Sequence, residues 1–73
     1  MANLQQEREH LILADQHLAA GKRRIVKQFI LIDALARRGQ DTTEASKLLQ
    51  NFEDTLAIWR AHRKQILDAI AKG

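Results

Sequence analysis

The sequence predicts an all-α fold, a two-helix antiparallel coiled-coil hairpin, from two apolar stripes and the short segment between them. The first stripe repeats every seven residues and consists of Leu4, Leu11, Leu18, Ile25 and Ile32. The second alternates steps of four and three and consists of Ala45, Leu49, Phe52, Leu56, Trp59, Arg63, Ile66 and Ile70. Spacings that average about 3.5 residues are typical of helices that share a seam. Because the short turn segment 38–42 lies between the stripes, we expect them to face each other across one tight turn.

Helix 1 is predicted over about residues 4–38. Asn3 is a good N-cap, and Gln6 stands three positions later, where a capping box needs it. At the other end, Arg37 and Arg38 place positive charge on the negative end of the helix dipole. Gly39 then suits the left-handed residue that follows many helices.

A turn is predicted at residues 39–41, followed by helix 2 over about residues 42–71. Asp41 is expected to cap helix 2, with Glu44 as the second half of a capping box. Residues 1–73 therefore form one domain, a single hairpin.

The position of the turn also predicts which residues of the two helices lie side by side. A turn centred near residue 40 places Gly21 opposite Trp59 and Ala14 opposite Ile66. A glycine inside a helix costs about 1 kcal/mol relative to alanine. An indole crossing from the facing helix would require this glycine.

Arg63 occupies a position in the apolar seam. Its aliphatic stem is expected to pack on Leu18 while the guanidinium reaches Asp15 at the edge.

The composition indicates a chain that does not stay alone. Hydrophobic residues make up 45% of the 73 residues, and there is no cysteine to form a disulfide. A lone hairpin has no further layer to cover its outer faces, so small scaffolds of this kind usually associate. We predict a homo-oligomer, most simply a dimer forming a four-helix bundle. One flank of the seam has almost no charge and is the predicted association face: His10, Leu13, His17, Leu31, Leu48, His62 and Ile66.

The three histidines admit three interpretations. Converging imidazoles could bind Zn²⁺ or Ni²⁺, but a helical ligand pair is normally spaced by three or four residues. His10 and His17 are seven apart, or about 10 Å along the axis. We therefore predict no metal and no cofactor, and favour polar residues at the rim of a helix–helix interface. A pH-sensitive interface stays open as an alternative.

A basic belt supports the alternative function. Its possible phosphate contacts are Arg23, Arg24, Lys27, Arg60 and Lys64. The net charge of +3 is a mild excess, and the helical positions of these residues do not form one stripe. The belt predicts at most a weak, sequence-independent nucleic-acid binder.

Other function classes find no support in the sequence. It contains no glycine-rich phosphate loop and no plausible nucleophile–base pair, so we predict that the protein is not an enzyme. The first residues lack the basic and apolar regions of a signal peptide. The longest strongly apolar run, residues 29–32, is far shorter than the roughly 20 residues that cross a bilayer. A cytoplasmic protein without a membrane partner is the resulting expectation.

Several strings resemble a family of short uncharacterised bacterial helical-hairpin proteins. They are H-x-x-x-G-x-x-R-I at residues 17–25, G-x-D-T at 39–42, F-E-x-x-L at 52–56 and a basic histidine-containing stretch at 60–63. The resemblance covers most of the chain. It implies a bacterial origin and a helical hairpin, and it brings no assigned activity. Members often carry histidine where this chain has Trp59, which weakens any role for a histidine cluster here.

Taken together, these patterns predict a small self-associating hairpin that acts as a protein–protein interaction or structural module.

Overall fold

The computed structural model describes residues 3–72 and contains two helices, α1 (Leu4–Arg37) and α2 (Thr43–Lys72). They pack against each other along their lengths, and the rod they form measures 56 × 14 × 12 Å. Late residues of α1 contact early residues of α2, as Gln28 does with Ala45, so the helices are antiparallel. The predicted helical hairpin is confirmed, and each predicted helix boundary lies within one residue of the observed one.

The end of α1 is closed by hydrogen bonds around one left-handed glycine. Gly39 has φ +70°, and its N–H donates to the carbonyl of Ala36 at 3.0 Å. The N–H of Gln40 donates to the carbonyl of Leu35 at 2.9 Å. This pair of bonds is a Schellman motif, which satisfies carbonyls that the end of a helix leaves free. The role predicted for Gly39 is confirmed.

Both helices begin with a side-chain cap. The Asn3 side-chain oxygen accepts the backbone N–H of Gln6 at 3.2 Å, as predicted. At α2, one carboxylate oxygen of Asp41 accepts the backbone N–H of Thr43 at 2.9 Å and its hydroxyl at 2.6 Å. The hydroxyl hydrogen bond, followed by the backbone one, lowers the pKa of Asp41 below its ordinary value.

The second half of the capping box predicted for α2 is wrong. The Glu44 carboxylate lies 3.4 Å from the Lys47 ammonium, one turn further along α2, and so does not turn back towards Asp41. A neighbouring cation at i+3 competes for this carboxylate.

The core is the seam between the helices. Its most buried apolar side chains are Ala14, Leu18, Leu56 and Ile66. The other positions of the two predicted stripes are half-buried, with one exception in the first turn of α1, where Leu4 is 43% exposed. The two stripes therefore face each other as predicted.

One polar side chain is buried in this seam. Gln28 is only 7% exposed, and its amide nitrogen donates to the carbonyl oxygen of Ala45 at 2.8 Å. It continues the stripe between Ile25 and Ile32 but has no apolar character for a hydrophobic pattern to detect. Gln28 ties the C-terminal third of α1 to the first turn of α2.

The pairing predicted for Gly21 is wrong by about one turn. A Cβ placed on Gly21 would lie 3.1 Å from Cδ1 of Leu56, and nothing from Trp59 comes within 4 Å of it. The turn midpoint fixes where the helices end, but side-chain interlocking fixes their layers. In an antiparallel pair, a seam residue that lies three positions after the previous seam residue faces one that lies four positions after its own predecessor. Gly21 lies three positions after Leu18, and Trp59 lies three after Leu56, so these two do not face each other. Leu56 lies four positions after Phe52 and therefore faces Gly21.

Candidate association interface

Three aromatic rings join the helices on the flank where association was predicted. The imidazole of His17 stacks on the indole of Trp59, with ring centroids 4.1 Å apart and planes at 13°. The His62 ring meets the same indole edge-on at 5.6 Å and 77°. His62 follows Trp59 by three residues on α2, whereas His17 comes from α1. The indole thus leaves the seam and spreads over this flank, in arrangements that aromatic pairs favour.

These rings form the wall of a groove with a volume of about 320 Å³. The groove brings together four of the seven residues predicted for the association face, and Trp59 joins them. The four are His10, Leu13, His17 and His62. Leu13 is 52% exposed, so one wall of the groove is an apolar surface in contact with solvent. His10 lies 3.9 Å from the Glu7 carboxylate, beyond hydrogen-bond distance.

Two further predicted residues extend this flank towards the turn. Leu31 is 47% exposed and Leu48 is 44% exposed. Leu31 follows His17 by two heptads, and Leu48 precedes His62 by two heptads, so each lies on the same side of its helix as its histidine. Both are about 20 Å closer to the turn than the aromatic rings.

The seventh predicted residue, Ile66, is not on this face. It is only 4% exposed because it belongs to the seam stripe that also contains Leu56. Unlike the larger indole of Trp59, the Ile66 side chain is almost entirely covered at its seam position and adds no surface to the flank.

Sequence reasoning missed a better candidate, Ile58. It is 69% exposed, the highest value among the exposed large apolar residues of the described chain. Ile58 precedes His62 by four residues, a spacing that puts two side chains on one side of a helix. This spacing to a residue already selected was the available signal. We call His10, Leu13, His17, Leu31, Leu48, Ile58 and His62 the histidine flank.

The opposite flank of the seam is charged. The Nε of Arg63 donates to a carboxylate oxygen of Asp15 at 2.6 Å, so the predicted reach of Arg63 is confirmed. Both side chains are partly exposed, at 38% and 52%. They line an open groove together with Leu18, Ala19, Lys22 and Arg60.

The five residues of the predicted basic belt do not come together. Arg23 and Lys27 line a shallow groove on the outside of α1, whereas Arg60 lines the groove that contains the Asp15 carboxylate. Arg24 and Lys64 line neither groove, although both are exposed. Of the five, only Arg23 and Lys27 share a groove, so the structure does not assemble them into one belt.

The charged side of the hairpin also carries more apolar surface than the sequence suggested. Its large exposed apolar side chains are Ile12 at 59%, Val26 at 57%, Phe29 at 54%, Ile30 at 65% and Leu67 at 38%. Apolar exposure is thus not confined to the histidine flank.

Within residues 3–72, no group of three or more His, Cys, Asp or Glu side chains is arranged to hold a metal ion. The helices over the same residues contain no apolar stretch long enough to traverse a bilayer.

Comparisons with known proteins add no relative. No family model matches the chain, and neither the curated proteins nor the solved structures contain a significant match.

Proposed function

We propose that this protein is a self-associating helical hairpin, in which the histidine flanks of two copies meet and form a four-helix bundle. In this proposal the dimer serves as a protein–protein interaction or structural module, without catalytic activity. The large accessible surface of the single chain, together with its exposed apolar side chains, is the observation that carries the proposal. The bacterial family resemblance and the cytoplasmic location stay predictions.

The single hairpin exposes more surface than a chain of its mass normally does. Its accessible surface is 5707 Å². A compact monomer of 8.4 kDa is expected to expose about 4,600 Å². The difference, about 1,100 Å², is larger than the roughly 800 Å² that each partner buries in a standard interface, but it falls within the roughly 1,000–2,500 Å² per partner of obligate homodimers. An interface of that class with one further copy would cover such an area.

The composition of the histidine flank favours a second copy as its partner. None of its seven residues is a lysine, arginine, aspartate or glutamate. A two-fold interface brings identical surfaces together, so like charges on the face would repel each other. Arg24 lies between His17 and Leu31 in the heptad pattern, and its long stem allows the guanidinium to reach solvent at the edge.

Multi-angle light scattering at tens of micromolar tests the proposal. We expect a mass near twice the 8.4 kDa of one chain. A mass near that of one chain would contradict it.

Two neighbouring leucine-sized residues provide a matched pair of variants. Leu31 lies on the histidine flank, whereas Ile30 points to the outside of α1, and both are well exposed. We expect Leu31→Glu to yield monomers, because each copy would bury an unpaired carboxylate in the interface. Ile30→Glu should remain a dimer. If Ile30→Glu dissociates the protein and Leu31→Glu does not, association uses the other side of the hairpin.

A further inference from the structure

We propose that the outer face of α1 is a docking surface for an anionic lipid bilayer, which it binds peripherally. The surface, called here the basic–apolar patch, consists of Lys22, Arg23, Val26, Lys27, Phe29 and Ile30. This inference does not depend on self-association, since all six residues belong to one helix of one chain.

The cations of the patch are not neutralised by the protein. From residue 22 to residue 31 the chain has four basic residues and no carboxylate. Among residues 3–72, no carboxylate oxygen lies within 4.0 Å of any of these four cations. The next carboxylate along α1, that of Asp33, is engaged by Arg37 at 2.9 Å. The patch therefore presents uncompensated positive charge to solvent.

Large apolar side chains lie among these cations. Val26 is 57% exposed, Phe29 54% and Ile30 65%. Val26 is three or four residues from Lys22, Arg23, Phe29 and Ile30, so it lies at the centre of the patch. Lys22, Arg23, Val26 and Lys27 line one shallow groove. The cations thus surround an apolar centre.

This combination matches an anionic bilayer better than a nucleic acid. Binding to the phosphates of a duplex would use only the cations of the patch and would leave Phe29 and Ile30 exposed to water. At a bilayer interface, apolar side chains enter the acyl boundary while the long stems of Lys and Arg reach lipid phosphates. The apolar side chains and the cations of the patch would then both contact lipid.

The shape of the surface argues against an acidic protein helix as the partner. A helix that docks through apolar side chains is received by a groove between elements. The patch lies on the convex outside of one helix in a rod only 14 × 12 Å across. A flat interface can contact such a ridge along its length. The sequence-based expectation of no membrane partner considered only segments that span a bilayer, and peripheral binding needs no such segment.

Vesicle co-sedimentation tests the proposal with the full-length protein. The probes are vesicles of equal parts phosphatidylglycerol and phosphatidylcholine, and vesicles of phosphatidylcholine alone, at roughly 0.1 M salt. We expect sedimentation with the anionic vesicles only, and release as the salt is raised. Absence of binding to the anionic vesicles, or equal binding to both compositions, would overturn the proposal.

Two variants separate the charged and apolar contributions. Replacing Lys22, Arg23 and Lys27 with Gln should weaken partitioning about 100-fold, since each cation near an anionic surface contributes about fivefold. Replacing Phe29 and Ile30 with Ser should weaken it at least about tenfold, because two inserted side chains are lost. Ile58 is equally exposed and lies outside the patch, so Ile58→Ser in a dissociated background such as Leu48→Glu should not change vesicle partitioning. Circular dichroism checks that each variant remains helical.

Two further results would overturn the proposal. The first is full vesicle binding by the Phe29/Ile30 serine variant, since the apolar centre would then have no role. The second is binding of a labelled DNA duplex at the same salt without binding to vesicles, which would assign the cations to nucleic acid. Leu48→Glu changes the histidine flank on α2, so it places no carboxylate beside the patch and should keep the preference for anionic vesicles even as a monomer. Loss of that preference in Leu48→Glu would contradict binding by the patch of a single chain.

Discussion

The two sides of the hairpin expose apolar side chains to a similar degree but surround them differently. On the histidine flank, Leu13 lies in one groove with the rings of His10, His17 and His62, and no lysine, arginine or carboxylate lines that groove. On the outer side of α1, Phe29 and Ile30 lie among cations. Exposed apolar area alone shows only that something should cover a surface. The polar groups around it decide whether a second copy or an anionic surface is compatible.

The largest expected effect comes from the seam that both sides share. We expect Leu56→Ala to lower the free energy of unfolding by about 2–5 kcal/mol, because it removes buried atoms and leaves a cavity. Chemical denaturation measures this loss. Ile58→Ala, two residues away and exposed, should cost no more than about 0.5 kcal/mol in a dissociated background such as Leu31→Glu. Similar losses for both would mean that Leu56 does not lie in the core.

A second prediction tests the register of α1 against α2, which determines the residues that lie on each side of the hairpin. Gly21→Leu should destabilise the protein by about 1–3 kcal/mol, because the new side chain would overpack against Leu56. Leu56→Ala should relieve part of this cost, whereas Trp59→Ala should not. Double-mutant cycles from thermal melts measure the coupling. Stronger coupling of Gly21 to Trp59 than to Leu56 would restore the register predicted from the turn midpoint.

A third prediction changes only Trp59 and tests whether the histidine flank and the basic–apolar patch act independently. Trp59→Leu keeps an apolar seam residue but removes the stacked and edge-on ring contacts with His17 and His62. Aromatic pairs contribute about 0.5–1.5 kcal/mol beyond buried area. We expect weaker self-association in sedimentation equilibrium and unchanged partitioning to anionic vesicles. A parallel loss of both activities would show that the two surfaces are not independent.

The smallest expected effect concerns the turn that joins both helices, and it depends on pH. The lowered pKa of Asp41 means that its ionised form is favoured in the folded state. Its contribution to stability is therefore present above the unfolded pKa of about 4 and is lost as the pH falls through the lower folded value. We expect the difference in melting temperature between the wild type and Asp41→Ala to shrink from pH 6 to pH 3.

Asp68→Ala, which removes a carboxylate near the far end of α2, is the control for net charge. The difference in melting temperature between the wild type and Asp68→Ala should not shrink in the same way from pH 6 to pH 3. A constant difference for Asp41→Ala across this pH range would contradict the cap.

Periodicity and local caps made much of the fold predictable. Asn3, Gly39 and the two stripes act through neighbours close in sequence, so their roles can be read from spacing. The position of Gly21 depends on how two helices interlock, and the turn midpoint does not contain that information. Gln28 escaped detection because its burial depends on a carbonyl that only the other helix supplies.

The candidate surfaces were predictable only in part, for a related reason. The histidines and Leu13 were found because heptad spacing places them beside the seam. Ile66 was misplaced because one residue was assigned both to the seam and to its edge. The apolar centre of the basic–apolar patch was undervalued because net charge along the sequence does not show which side chains remain exposed.

The buried amide of Gln28 has a consequence for alternative registers. Stripes that repeat every seven residues would still face each other if α2 slid along α1 by one heptad. Such a slip would carry the carbonyl of Ala45 about 10 Å away from the amide. A buried amide left without a partner costs about 1–3 kcal/mol. One polar side chain thus makes the slipped hairpin unfavourable and selects a single alignment among several that the apolar residues alone would tolerate.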